Sequence, residues 1–239
     1  MATAKAGVEA LAAMRGGLVV SAQAPPGSPL RDPIHMAAMA RAAAAGGACG
    51  VRADGARDIA AIRAAIDLPL IGLRKRASPD TPVVITPSLE DAREAAAAGA
   101  DMIAVDATQR PRAGGGGPGE LIAQLRREVG LPVLADVDCY AAGLAAVEAG
   151  AAAVATTLSG YVPGPPPDEP DLALVERLAA ALPCPVLAEG RYAAAADVRR
   201  AFHAGAHAVV IGTAITDPVA LTRRFAAAAP RAKGQRAPS

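Results

Sequence analysis

Apolar residues along the 239-residue chain gather in short runs, separated by longer stretches with helical spacing. Two patterns alternate. In one, a helix closes on glycine and an apolar run follows, as in "EAAAAGADMIAVDAT" and "FHAGAHAVVIGTAI". In the other, a helix gives way to proline and then to an apolar run, as in "IDLPLIGLRK" and "LPCPVLAEG". Gly46, Gly99, Gly150 and Gly205 are placed to take the left-handed conformation after a helix, and Pro69, Pro132 and Pro185 stop its continuation. The runs are continuously apolar, which is the pattern of parallel strands covered on both faces. With the opening "GLVVSAQA" they predict eight strands, at 18–23, 49–52, 70–75, 102–106, 132–136, 153–157, 185–189 and 207–212. Ser88 and Asp171 predict helix N-caps, and Asp32 stands before Pro33, a good first helical residue. One further run, "VVITP" at 83–87, follows the third strand too closely for a crossover helix, which needs about a dozen residues. It reads as a short extension inside the third β-to-α connection.

Eight βα units in a chain of this length predict a single (β/α)8 TIM barrel of the phosphate-binding type over residues 1–229, with 230–239 a tail without regular structure. A doubly wound sheet is the alternative. The repeated strand pairs and the absence of a G-x-G-x-x-G stretch weigh against it. Composition narrows the partners. Apolar residues make up 52% and aromatics 2%, so the core is built from Val, Leu, Ile and Ala. A net charge of +1, with arginines spread through predicted helices, predicts no nucleic-acid or membrane partner. Cys49, Cys139 and Cys184 are odd in number and far apart, which predicts a reducing, cytoplasmic setting and neither a disulfide framework nor a metal site. No apolar run has the length of a bilayer span.

Chemistry in a TIM barrel sits at the C-terminal ends of its strands. Those ends carry Gln23, Arg52, Lys75, Asp106, Asp136, Thr157, Glu189 and the pair Gly212-Thr213, so nearly every strand delivers a polar or ionisable group to one place. Lys75 stands out because the chain has only two other lysines, Lys5 and Lys233, and otherwise uses arginine. Lysine can lose its proton when desolvated, whereas arginine stays charged. Burial and the neighbouring Arg52 would both disfavour the ammonium and make Lys75 a base near neutral pH. Glu189 could move a second proton, and Arg52 could stabilise an oxyanion. That set suits proton abstraction beside a carbonyl, without a redox cofactor. The glycines of "AEGRY" and "IGTAIT", with Gly190, Arg191, Gly212 and Thr213, fall on strands seven and eight, where such barrels bind phosphate. "HAGAH" has the i, i+4 spacing of a metal pair, but no acidic partner accompanies His203 and His207. Ser159 has neither the G-x-S-x-G context nor a histidine partner of a nucleophile. The loops "PRAGGGGPGE" and "GYVPGPPPDEPD" follow strands four and six and so lie over the barrel mouth.

Taken in order, "VSAQA", "GGACGVRADG", "PLIGLRKR", "VITPSLEDA", "VDATQRPR", "LADVD", "TTLSGY", "PVLAEGR" and "HAVVIGTAIT" resemble the N-acetylmannosamine-6-phosphate 2-epimerases of bacterial sialic-acid catabolism, from about residue 14 to 228. The resemblance implies a TIM barrel and a reversible, cofactor-free inversion at C2 of an N-acetyl-hexosamine 6-phosphate. It places the family's catalytic lysine on Lys75 and its acid/base glutamate on Glu189. The substrate-contacting Gln, Arg and Asp fall on Gln23, Arg52 and Asp136, with Thr157 beside them. A phosphosugar is the expected partner, and a homodimer the candidate assembly. The chain departs from the family's Gly-Gly-Ala-Ile-Thr-Arg-Pro at two places, with Thr213 for the second Gly and Asp217 for the Arg, and Val162 stands where Thr is common after "GY". Asp217 directly precedes Pro218, a helix-start pair, which favours a capping role over an approach to the ligand. Arg191 is a candidate to compensate for the lost arginine.

Overall fold

The computed structural model describes residues 2–162 and 167–230. The nine C-terminal residues of the predicted tail, 231–239, lie outside the described residues. Eight parallel strands close into a barrel in chain order, β1 to β8. They are β1 (Leu18–Ala22), β2 (Gly50–Asp54), β3 (Leu70–Leu73), β4 (Met102–Asp106), β5 (Val133–Asp136), β6 (Ala153–Ala155), β7 (Val186–Glu189) and β8 (Ala208–Ile211). The helices are α1 (Ala2–Ala13), α2 (Pro33–Ala45), α3 (Ala56–Arg63), α4 (Leu89–Ala97), α5 (Pro118–Glu128), α6 (Tyr140–Glu148), α7 (Leu172–Ala181), α8 (Ala195–His203), α9 (Thr213–Thr216) and α10 (Pro218–Ala228). The barrel closes where Val19 of β1 pairs with Val210 of β8. This is the (β/α)8 TIM barrel expected from the sequence. No helix of the described residues is long and apolar enough to cross a membrane.

The two faces of each strand explain why the runs read as continuously apolar. One set of positions, including Val51, Ala53, Leu70, Ile103, Val105 and Val209, packs outward against the helices. The alternate set, including Val19, Ile71, Leu73, Leu134, Leu187 and Val210, fills the barrel interior. A period of two then fixes what lies above. Gln23, Arg52, Lys75, Asp136, Glu189 and Gly212 continue the inward rows past their apolar positions. Each row is therefore apolar through the barrel and polar at its top.

Four helices start as the sequence predicts. Asp32, Ser88, Asp171 and Asp217 each accept a backbone N–H from the first turn of the helix that follows. Two details differ. After α2 the left-handed residue is Gly47 (φ 88°), not Gly46 (φ −80°), because Gly46 still donates to Ala42 within the helical turn. In addition β3 ends at Leu73 rather than at residue 75. Segment 83–87 is the reason. It wedges between β3 and β4, forming an antiparallel bridge from Ile85 to Lys75 and accepting the Asp106 N–H at Ile85. Thr86 holds this wedge in a left-handed conformation (φ 45°), its hydroxyl donating to the Ala104 carbonyl at 2.6 Å. Helix α1 has no counterpart among the predicted elements. It closes the opposite end of the barrel, with Leu11 joining the interior cluster and its carbonyl meeting His207 Nε2 at 2.8 Å.

Gly72 on β3 sits in close contact with the residues that cover the strand. A Cβ there would lie 2.6 Å from the Ala100 Cβ and 3.1 Å from the Ile59 Cδ1. Overpacking of this kind costs roughly 1–3 kcal/mol. Gly72→Ala is expected to lower the midpoint of urea or thermal unfolding accordingly, and an unchanged midpoint would contradict this packing.

Candidate active site

A cavity of about 940 Å³ opens at the C-terminal ends of the strands. At its floor lies Arg52, a guanidinium only 1% exposed. Asp136 meets it with both oxygens, at 2.9 Å to Nη1 and 2.7 Å to Nη2. The Glu189 Oε2 lies 2.6 Å from the same Nη1. The Thr157 hydroxyl links the carboxylates, 2.6 Å from Asp136 Oδ1 and 3.0 Å from Glu189 Oε2. Three other strand tops thus converge on one cation. Burial alone would push Arg52 down, but Asp136 and Glu189 outweigh it and hold the guanidinium above its ordinary range. Burial raises the Glu189 carboxyl above its usual value, with Asp136 adding to the effect and Arg52 opposing it.

Lys75 stands on the wall of this cavity. Its side chain is open to the solvent that fills the mouth, yet protein surrounds it on the barrel side. That enclosure lowers its pKa, and the charge of Arg52 lowers it further. Asp54, Glu189 and Asp136 oppose the shift. Its backbone is fixed on two sides, by the bridge to Ile85 and by an N–H donated to Asp54 Oδ1 at 2.7 Å. Gln23 lines the cavity as well, its amide donating to Ser21 Oγ at 2.8 Å while its Oε1 is buried without a partner.

Gly190, Arg191, Gly212 and Thr213 form the side of the cavity at β7 and β8. Gly190 (φ 111°) and Arg191 (φ 65°) both take left-handed backbone, and α9 begins at Thr213. The N–H groups of Arg191, Thr213 and Ala214 meet no protein acceptor among the described residues. The Arg191 side chain turns elsewhere. Its Nε donates to the Glu169 carbonyl at 2.7 Å, its Nη1 donates to the Ser159 carbonyl, and its guanidinium lies 5.5 Å from the centre of the Tyr161 ring. It is thus a strut for the loop after β6. Asp217 caps α10 through Ala220 N at 2.9 Å, as its place before Pro218 led us to expect.

Three positions separate the sequence reading from the structure. Asp136 belongs to the cluster but lies beneath Arg52 and is fully buried, so it reaches the cavity through that guanidinium. Asp106 also ends an inward row, but Arg110 and Thr108 occupy its carboxylate and it anchors the loop after β4. Asp54 lies beyond the predicted end of β2 at Arg52. The strand runs two residues further, and the Arg52-x-Asp54 spacing was the available signal. Among the described residues no group of three His, Cys, Asp or Glu side chains could hold a metal ion.

Residues 36–231 match the protein family described as "Putative N-acetylmannosamine-6-phosphate epimerase". The chain belongs to this family. A relative in Cutibacterium acnes, described as a 2-epimerase of the same sugar phosphate, is 47% identical over 218 residues, covering 90% of this chain and 94% of its own. One in Klebsiella pneumoniae is 47% identical over 84% of both chains. The solved N-acetylmannosamine-6-phosphate 2-epimerase of Clostridium perfringens superposes with a TM-score of 0.87 at 35% identity, covering 92% of this chain and 96% of that one. The thiamine phosphate pyrophosphorylase of Pyrococcus furiosus, at 15% identity and a TM-score of 0.59, shares the fold alone. Within the epimerase family the barrel described above is therefore the expected architecture.

Removing Arg52 exposes what it neutralises. Arg52→Met would leave Asp136 and Glu189 buried without their cation, a loss of about 3–5 kcal/mol near neutral pH. The Glu189 carboxyl, already raised by burial, would lose the opposing Arg52, so the deficit shrinks as pH falls and it protonates. Urea unfolding of variant and wild type at pH 7.5 and pH 5.5 checks this. A deficit independent of pH would contradict the assignment of charge.

Proposed function

We propose that this protein interconverts N-acetylmannosamine 6-phosphate and N-acetylglucosamine 6-phosphate by proton transfer at C2. The observation that carries this reading is the convergence of Lys75 and Glu189 on one cavity around a buried, permanently charged Arg52. In the open-chain sugar the C2 hydrogen is acidic because C1 is an aldehyde. Neutral Lys75 takes it. The charge that moves onto O1 is met by Arg52, whose Nε is buried and without a partner. Glu189, its carboxyl raised by burial, returns a proton to the opposite face of C2. The sequence is self-consistent in protons. One transferable proton resides on Glu189 before the forward reaction and on Lys75 after it, which is the state the reverse reaction needs. The two groups then titrate as a coupled pair. No step calls for a redox change, so the chemistry needs no cofactor.

The free N–H groups at Arg191 and Thr213 suit the 6-phosphate, with Gly190 and Gly212 admitting it closely. Gln23 and Thr157 are placed for the sugar, and Asp136 acts by orienting Arg52. The relatives' shared description, together with this acid–base pair, favours the epimerase over other phosphosugar isomerases and over a non-catalytic sugar-phosphate sensor.

Proton NMR of the sugar phosphates in heavy water reports both epimerisation and C2 exchange. Lys75→Ala is expected to abolish both while leaving the unfolding midpoint close to wild type. Lys75→Arg should be nearly as inactive, because guanidinium does not deprotonate near neutral pH. A substantially active arginine variant would remove Lys75 as the base. The phosphorylated sugar should also bind far better than free N-acetylmannosamine, since each lost charge-assisted hydrogen bond costs roughly 1.5–3 kcal/mol. Equal affinity would remove the phosphate site.

A further inference from the structure

We propose that Asp54 is a positioning residue for this reaction: its carboxylate anchors the Lys75 backbone and sets the charge beside the Lys75 amine. The inference rests on the reading of Lys75 as the proton-transferring base. It starts from a gap in the sheet. The β2–β3 ladder runs to Asp54 opposite Leu73, and Gly55 still donates to the Leu73 carbonyl at 2.8 Å. At Gly55 the backbone turns (φ 88°) into α3, so β2 offers no further carbonyl to β3. Lys75 lies beyond that point. The Asp54 side chain takes the place of the missing carbonyl and accepts the Lys75 N–H at 2.7 Å. On the other side Arg76 N–H donates to Val84 and Thr86 N–H to Arg74. Lys75 is therefore clamped between a carboxylate and the 83–87 wedge, although it lies outside β3.

The same carboxylate has an electrostatic part. The charged groups that act on the Lys75 amine are Arg52 and Asp54 on β2, Asp136 on β5 and Glu189 on β7. Asp136 and Glu189 are both bonded to Arg52. Asp54 forms no ion pair among the described residues and lines the cavity beside Lys75. It is the negative charge best placed to favour the ammonium that Lys75 becomes after taking the C2 proton.

Two variants separate the anchor from the charge. Asp54→Asn keeps an oxygen that can accept the Lys75 N–H but removes the charge. Asp54→Ala removes both. Without the charge, added protons on the Lys75–Glu189 pair are less favourable, so both limbs of the kcat/KM pH profile should move about 0.5–1 pH unit lower in each variant. Only Asp54→Ala should also lose kcat, by about 10–100-fold with little change in KM, because its base is no longer held in place. Asp54→Asn should remain within a few-fold of wild type. An unmoved pH profile in Asp54→Asn overturns the charge role, and wild-type kcat in Asp54→Ala overturns the anchor. Should Asp54→Ala fail to show a cooperative melt, the Asp54→Asn profile still decides. A Lys75→Ala control distinguishes the two readings. If that variant retains C2 exchange, the base assignment itself is wrong. If it is inactive while the Asp54 variants behave as wild type, only the present inference fails.

Discussion

A guanidinium with 1% of its surface exposed needs compensation inside a protein, and much of the barrel mouth is arranged to provide it. Asp136 supplies a two-point match to Arg52, Glu189 a second carboxylate, and Thr157 a hydroxyl that ties the carboxylates together. These groups come from β2, β5, β7 and the turn after β6, so the cluster forms only once the barrel has closed. Its electrostatics follow from one imbalance. A single buried cation faces two carboxylates, and burial favours keeping some proton on Glu189. Next to the same cation, the Lys75 amine is pushed toward neutrality. Arg52 therefore lowers both groups, reinforcing burial at Lys75 and opposing it at Glu189, and neither group keeps its usual ionisation range.

The cluster also explains why polarity begins where it does in each strand. Below it, the inward rows are apolar and pack against one another, with α1 closing the far end. Above it, loops and short segments do the positioning. The 83–87 wedge fixes Lys75 from one side, Arg191 braces the loop after β6, and α9 places free N–H groups opposite. Lys75 and the groups around it are thus held by backbone geometry as well as by their own side-chain contacts, which limits the motion available to them.

Much of this was legible in the sequence, for identifiable reasons. Strand number and order follow from apolar runs bounded by glycine and proline, and the inward rows follow from a period of two. Lys75, Glu189, Arg52 and Thr157 were legible because each lies at or just beyond the end of an apolar run. Asp217 as a cap was legible because Asp-Pro is a local signal that needs no tertiary context. The rest depended on distant chain. The early end of β3 comes from a wedge about ten residues downstream, whose pairing with Lys75 no periodicity reveals. Asp54 is hidden because the apolar character of β2 fades two residues before the strand ends, and ends are the least sharply encoded part of an element. The side chain of Arg191 could be read as facing a phosphate; its partners at Ser159 and Glu169 exist only after the β6 loop has folded beside β7.

The central claim is that Lys75 and Glu189 serve opposite faces of C2. Glu189→Gln tests it most directly, because the amide keeps its oxygen for the Arg52 and Thr157 contacts but cannot exchange a proton. In heavy water, proton NMR of this variant should show the C2 hydrogen of one epimer replaced by deuterium through Lys75 alone, with no formation of the other epimer. Continued interconversion of the two sugars at a rate near wild type would contradict the account.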